Sequence, residues 1–471
     1  MLPKKTKIIC TLGPSTNIEV LRDMVKAGMN VARLNMSHGS YEEQAGRVAM
    51  VKQVREELGI PVAILLDTKG PEFRIKTFKN GKEFLERGAK FTLTHEEVEG
   101  DNARISISYP ELYKHLKVGD TVLADDGNIE FRVESIEGKD VVMSVIAGGV
   151  LSNRKSLNFP GIHIDMEYMS DIDKKDIAFG IEQGVEWIAL SFVRCKEDVE
   201  AVREYLKTIN GSDTALISKI ENQSGVDNMD SIIELSDGIM VARGDMGVEI
   251  DFEKLPSIQK HLIKNCYRAG KVVITATQML ETMINNPRPT RAEISDVANA
   301  IYDGTSATML SGETAAGKYP VEAVRTMAKI IEETEKNVNY KKRFLNFEVE
   351  IKTIDNAISH SAVNAAFNLN AQAIITLTFS GTAAQKISRF RPIAPIISAT
   401  TSQRTYFRMA LNWGVIPTFA EEKTSSDELI AHATECALKT GMVKEGDLVV
   451  IVAGTPVGIS GNTNTIKIQR V

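Results

Sequence analysis

The chain has 471 residues, 43% hydrophobic and 25% charged, with 56 Lys+Arg against 62 Asp+Glu for a net charge of −6. That is an ordinary soluble composition, long enough for roughly three domains at about 150 residues each. The acidic balance argues against nucleic acid or an anionic membrane as main partner, and no run reaches the roughly 18 apolar residues of a membrane span.

Met1-Leu2-Pro3-Lys4-Lys5 leads straight into a strand-like run, so no secretory signal is expected. The first strand is expected at Lys7–Thr11, the second at Val31–Asn35 and the third at Val62–Asp67. Each is a short apolar run that ends in polar residues and is followed by a helical segment. The pattern then breaks. Over 71–169, short alternating runs such as Lys90–Thr94 and Thr121–Ala124 are separated by turn pairs, Asn80-Gly81 and Asp126-Gly127, which predicts an inserted all-β module. Strands resume at Trp187–Ser191, Leu216–Glu221, Gly238–Arg243, Val272–Thr277 and Ala307–Ser311. Eight continuous apolar runs alternating with helices predict a parallel (β/α)8 TIM barrel over 1–70 and 170–345. Such barrels carry their active sites at the carboxyl ends of the strands, so a module inserted after the third strand overhangs the mouth as a lid.

Through the charged segment Lys336–Glu350 the chain passes into a separate α/β domain, 346–471. A helix is expected over Asn356–Leu369 and strands at Ala373–Thr378, Pro395–Ala399 and Asp447–Val452. Thr376–Thr382 runs from a strand into a helix starting near Ala383. Its hydroxyls and Gly381 either present N–H groups to an anion or simply cap the helix. Cys10, Cys195, Cys266 and Cys436 are far apart without C-x-x-C spacing, as expected of buried thiols in a reducing compartment.

The polar strand ends gather Arg33, Asn35, Ser37, Asp67, Thr68, Lys219, Glu221, Arg243, Asp245, Thr275 and Thr277 at one rim. Cations beside carboxylates are what phosphoryl transfer requires, because charge on the moving oxygens must be balanced. Glu221 and Asp245 end successive strands; they either share a hard cation or pair with Lys219 and Arg243. Lys219, facing the barrel axis, needs a buried anion as partner, and a Schiff-base role is the alternative. Gly312–Lys318 imitates a phosphate-binding P-loop, but Tyr319 stands where the metal-binding hydroxyl belongs.

Several motifs resemble the pyruvate kinase family. They are Asn35-Met36-Ser37-His38-Gly39, Asp67-Thr68-Lys69-Gly70-Pro71-Glu72, Ile217–Asn222, Met240–Glu249, Thr275–Leu280, Asn286–Glu293 and Met309–Ala315. The likeness runs nearly the whole chain in the same order. It implies a cytoplasmic glycolytic enzyme that moves the phosphoryl group of phosphoenolpyruvate to ADP. By resemblance, Arg33 and Lys219 contact that group, with Lys219 the main electrostatic stabiliser, and Glu221 and Asp245 hold Mg²⁺. Gly244, Asp245 and Thr277 hold the substrate carboxylate, and Thr277 is a candidate proton relay. Asn35, Ser37, Asp67 and Thr68 resemble the K⁺ site; Arg74 and Lys155, with Asn35 and His38 nearby, approach the nucleotide. Glu72 stands where K⁺-independent members commonly carry Lys. Thr378, Ser380, Gly381 and Thr382 align with the loop for a phosphorylated effector, although Phe379 and Ala383 replace the Lys and Ser of some fructose-bisphosphate-activated members. The resemblance also implies a homotetramer. Departures from the family pattern fall at Arg154-Lys155-Ser156, Asn158-Phe159-Pro160-Gly161 and Ile162–Met169.

Overall fold

Eight parallel strands close a barrel in the computed structural model, which describes residues 4–162, 164, 166–347, 350–423, 425–455 and 461–471. They are β1 (Lys7–Thr11), β2 (Val31–Asn35), β3 (Ala63–Asp67), β4 (Trp187–Leu190), β5 (Ala215–Ile220), β6 (Gly238–Ala242), β7 (Val272–Ala276) and β8 (Ala307–Leu310), in that cyclic order. The continuous apolar runs are explained by burial on both faces. Ile9, Val31, Leu65, Ala189, Ile217, Met240, Ile274 and Met309 fill the barrel interior. Their alternates Ile8, Cys10, Leu34, Ile64, Leu66, Val241 and Val273 pack outward against the helices. Capping boxes start the helices Tyr41–Leu58, Asp171–Gln183 and Arg291–Asp303, from Ser40/Glu43, Ser170/Asp173 and Thr290/Glu293.

Between β3 and β4 the chain builds the inserted all-β unit around its own core of Phe91, Phe131, Val122, Val133 and Met143. Seven of its strands form one sheet and two form a separate ribbon. A bridge between Ile75 and Ile107 joins the sheet's outer strands. The expected strands Lys90–Thr94 and Thr121–Ala124 are both present. Asp126 and Gly127 sit at φ +55° and +83°, the left-handed pair that a tight hairpin demands. His163 and Asp165, within the divergent Ile162–Met169 stretch, lie outside the described residues.

The C-terminal sheet has five strands: β9 (Ala373–Leu377), β10 (Ile396–Thr400), β11 (Val415–Phe419), β12 (Leu448–Ala453) and β13 (Thr465–Arg470), in the order β11-β10-β9-β12-β13. Only β13 is antiparallel to its neighbour. β11 and β13 are absent from the sequence reading because both are edge strands: Pro417 interrupts one, and Thr465-Ile466-Lys467-Ile468-Gln469-Arg470 is largely polar. The charged connector has structure of its own. It forms a helix, Tyr340–Leu345, that buries Tyr340 and Phe344 in the C-terminal core; its Glu348 and Val349 lie outside the described residues. Ala410 and Leu411 enter the barrel-interior cluster, so the C-terminal domain plugs the amino end of the barrel and leaves the carboxyl end as the mouth.

Candidate active site

Strand register brings the rim residues together. Asn35 lies beside Asp67 across β2 and β3, and Ala189 lies beside both Asp67 and Ile217. The chain following these positions therefore delivers Thr68, Ser191 and Lys219 to one level. Their centre is a buried charge network. Arg33 Nε donates to Asp67 Oδ2 at 2.7 Å and Nη1 to Thr11 Oγ1 at 2.9 Å. Lys219 Nζ lies 3.2 Å from Asp67 Oδ1 and 2.9 Å from Glu221 Oε1, and donates to Ser191 Oγ at 2.7 Å. Ser191 Oγ in turn donates to the Thr68 carbonyl at 2.7 Å.

Burial works against the charge of Lys219, but Asp67, Glu221 and Asp245 outweigh it and hold the amine protonated above the ordinary lysine range. Asp67 is likewise opposed by burial, yet Lys219 and Arg33 keep its carboxyl below the usual range. Glu221 goes the other way: burial, reinforced by Asp245, raises its carboxyl despite Lys219. Its Oε2 accepts the Phe192 amide at 2.5 Å, while Oε1 faces Lys219 without hydrogen-bond alignment among the described residues. Asp245 lines the same cavity and forms no ion pair among the described residues. The expected Arg243–Asp245 alternative is not what forms. Arg243 turns to Asp296, at 2.7 Å, and to the Thr277 carbonyl, at 2.6 Å.

Among the described residues no cluster of three His, Cys, Asp or Glu side chains could hold a metal unaided. Two carboxylates with room for substrate oxygens are instead what Mg²⁺ accepts. A single cavity of about 610 Å³ collects Arg33, Asn35, Ser37, His38, Asp67, Thr68, Arg74, Lys155, Lys219, Glu221 and Asp245. Arg74 and Lys155 reach it from the inserted unit. In this structure Arg74 Nε donates to Glu72 Oε2 at 2.7 Å, and Lys155 Nζ lies 2.5 Å from Asp125 Oδ1.

Gly244 and Thr277 form a neighbouring pair, with the Gly244 amide donating to Thr277 Oγ1 at 2.8 Å. Thr277 is held at φ +66°, an uncommon conformation for a β-branched residue, and its hydroxyl also meets the Ala276 carbonyl. Thr275 does not join the site: it is fully buried and donates to Thr305 Oγ1. Glu313, within the P-loop imitation, is a buried acceptor for the Leu280 and Ser311 amides. Thr378, Ser380 and Thr382 line a second cavity, of about 480 Å³, in the C-terminal domain, together with Glu421, Glu422 and Lys423.

Sequence reasoning passed over three contributors. Ser191 bridges Lys219, Asp67 and Thr68, and Phe192 at φ +55° aims its amide at Glu221. Gln44, fully buried, pins the Asn35–His38 loop by donating to both carbonyls, at 3.0 and 2.8 Å. The position of Ser191 after β4, level with Thr68 and Lys219, was the available signal. Gln44 carried none, because its role depends on a loop folding back over a helix.

Comparison with known proteins agrees with this geometry. Residues 3–324 match the family model described as pyruvate kinase, barrel domain, and residues 356–469 match that of the pyruvate kinase alpha/beta domain. A pyruvate kinase of Clostridium acetobutylicum is 49% identical over 99% of this chain and 100% of its own length. One of Geobacillus stearothermophilus is 48% identical over 100% of this chain and 81% of its own length. One of Clostridium perfringens is 44% identical over 99% of this chain and 100% of its own length. With a closed barrel, a cation–carboxylate mouth and a family match that covers nearly the whole chain, the chain belongs to the pyruvate kinase family of phosphotransferases.

Proposed function

We propose that the chain transfers the phosphoryl group of phosphoenolpyruvate to ADP, giving pyruvate and ATP in glycolysis, with Mg²⁺ and K⁺. The observation that carries this reading is the protonated Lys219, held between Asp67 and Glu221 and sharing a cavity with Arg33, Arg74 and Lys155. Several cations around one space suit a reaction between two polyanions. The same protonation disfavours the Schiff-base alternative, which needs a neutral amine.

In this reading Arg33 and Lys219 bind the moving phosphoryl oxygens, and Lys219 also faces the oxygen on which enolate charge develops. Gly244 and Asp245 amides and the Thr277 hydroxyl bind the substrate carboxylate, the Gly244 amide exchanging Thr277 Oγ1, its acceptor here, for the substrate. Arg74 and Lys155 take the nucleotide phosphates by exchanging Glu72 and Asp125 for them, with Asn35 and His38 alongside. Glu221 and Asp245 would hold Mg²⁺, which fits the unaligned Glu221 Oε1 and an Asp245 that forms no ion pair among the described residues. Bound there, Mg²⁺ supplies positive charge to the phosphoryl and enolate oxygens. Asn35, Ser37, Asp67 and the Thr68 carbonyl, all lining this cavity, would supply an all-oxygen set suited to K⁺. Thr277 is the candidate relay for the proton that converts the enolate to pyruvate. Thr378, Ser380, Gly381 and Thr382 are assigned to a phosphorylated effector, and the working form to a homotetramer in the cytoplasm. Among the described residues no helix is long and apolar enough to cross a membrane.

The deciding experiment measures pyruvate and ATP formed from phosphoenolpyruvate and ADP, with Mg²⁺ and K⁺ each withheld in turn. Product in the complete mixture and loss on omission of either ion support the reading. No ATP under any condition overturns it, and covalent trapping by borohydride with pyruvate would favour the Schiff-base alternative instead.

A further inference from the structure

The inserted unit leaves the barrel after β3 and returns shortly before β4, and both crossings are fastened on that side of the mouth. The Gly70 amide donates to Asp173 Oδ1 at 2.9 Å. On the return, Arg194 donates to the Ile164 and Met166 carbonyls, each at 3.0 Å, and the Tyr168 hydroxyl donates to the Ser191 carbonyl at 2.7 Å. A body held along one side by two chain crossings swings about them.

A second attachment lies across the mouth. Asn158 of the inserted unit, 7% exposed, donates its Nδ2 to Glu249 Oε1 at 2.8 Å, and the nearby backbone amide of Phe159 favours the charged form of the same carboxylate. Glu249 ends the helix Arg243–Glu249 that follows β6, three strands round the barrel from β3. An anion at a helix C-terminus gains nothing from its own helix dipole. Burial raises the Glu249 carboxyl, and the two donors that oppose this both come from the inserted unit. Val248, next to Glu249, also approaches the Asp126-Gly127 turn of the unit: a Cβ on Gly127 would stand 3.7 Å from it.

We propose that Glu249 is a positioning residue that latches the inserted unit across the barrel mouth, where Arg74 and Lys155 face the nucleotide. This rests on the proposed phosphoryl transfer for its kinetic consequence, but the latch itself is a contact of two named residues. Glu249 acts through Asn158 and the backbone of Phe159, so its effect should fall on ADP, whose cations ride on the moving unit. Phosphoenolpyruvate, held by barrel residues, should be much less sensitive.

The test uses the full chain with Glu249→Ala, Glu249→Gln, Asn158→Ala and the Glu249→Ala/Asn158→Ala pair. Losing hydrogen bonds to a charged acceptor should raise the KM for ADP about tenfold in Glu249→Ala, with the KM for phosphoenolpyruvate within about twofold. Glu249→Gln keeps a carbonyl oxygen for Asn158 and should retain most of the ADP affinity. The double variant should be no worse than Glu249→Ala, because the two residues act as one unit. Amide hydrogen exchange at Phe159 in the ligand-free protein should quicken in Glu249→Ala. Unchanged ADP affinity together with unchanged Phe159 exchange overturns the latch. So do additive effects in the double variant, or an equal rise in both KM values with a fallen Tm. Wild-type turnover reads the phosphoryl-transfer proposal and Phe159 exchange reads the latch, so the two can fail separately.

Discussion

Glu221 has two obligations. One oxygen fixes the Phe192 amide of a residue held at φ +55°, and the other is directed at Lys219. Truncation to Ala would therefore release a strained loop as well as remove charge, confusing structure with chemistry. Glu221→Gln separates them, since its amide oxygen still accepts from Phe192. We expect turnover to fall by about two or more orders of magnitude through loss of a hard-cation ligand, while the Tm stays near wild type. Near-normal turnover at low Mg²⁺ would falsify the metal assignment. Glu72 has a similar double role. It pairs with Arg74 and lines the same cavity as the oxygen set assigned to K⁺. Activity should require K⁺, and Glu72→Lys should weaken that requirement by bringing an ammonium towards the cation position. The same change places a like charge against Arg74, so the KM for ADP should rise. Full activity of the unmodified enzyme in K⁺-free sodium buffer would sink this assignment.

At the scale of elements, the loops after the strands decide how tightly the site is held. Gly70 follows β3 at φ +71°, and a Cβ there would stand 2.7 Å from the Ser191 carbonyl oxygen. Gly70→Ala combines backbone strain of roughly 1–3 kcal/mol with that collision. Because Ser191 donates to Thr68 and receives from Lys219, the displacement should reach the charge network. A lowered Tm accompanied by a lowered kcat is expected; a lowered Tm with unchanged kcat would show that the strain is absorbed elsewhere. The loop proposed for a phosphorylated effector is a weaker element than its sequence implied. The helix that follows is short, Thr382–Ser388, and Gly381 donates its amide to Thr378 Oγ1. The nearby Lys423 is paired with Glu421 at 2.9 Å. Hydroxyls are therefore the main groups offered to a phosphate. If the assignment holds, a sugar phosphate or nucleoside monophosphate should lower the phosphoenolpyruvate concentration for half-saturation, and Thr382→Glu should abolish that response with unactivated turnover preserved. A saturation curve unmoved by the whole panel makes the loop a helix start and nothing more.

At the scale of the whole molecule, the barrel and C-terminal domain share a sealed contact. Leu411 closes the barrel interior, Trp187 Nε1 donates to the Arg408 carbonyl at 3.2 Å, and Lys7 Nζ donates to the Val415 carbonyl at 2.7 Å. Lys7 is 6% exposed, and burial, with Lys4 adding to it, lowers its pKa from 10.5 to about 7. Below about pH 7 the lysine is charged in both folded and unfolded states, so the full cost of burying charge is present. Between about 7 and 10.5 the unfolded chain holds the proton and the folded chain sheds it, so stability rises with pH and the cost fades. Lys7→Met should thus raise the Tm most near pH 6, and the gain should shrink as pH rises towards 10.5. Differential scanning at several pH values checks this; a gain that is constant or grows with pH would contradict the buried charge.

Local pattern carried the fold a long way. β1 and β2 stand where the apolar runs place them, and the other six barrel strands differ from their runs by a residue or so at the ends, because two-sided burial leaves an unbroken apolar signature. The rim residues were legible for the same reason: polar groups end apolar runs at regular intervals, and a closed barrel converts equal position along the strand into nearness. Edge strands β11 and β13 escaped notice, since one unburied side removes the pressure for apolar residues. What the sequence by itself determined was the eight-fold repeat and the chemistry available at its rim. Only the tertiary structure decided who pairs with whom: Arg243 with Asp296 rather than Asp245, Ser191 with Lys219, and Asn158 with Glu249 across the mouth. Those choices join residues 28, 53 and 91 positions apart. They depend on loop paths and on which partner best offsets the loss of water, and neither leaves a local periodicity to read.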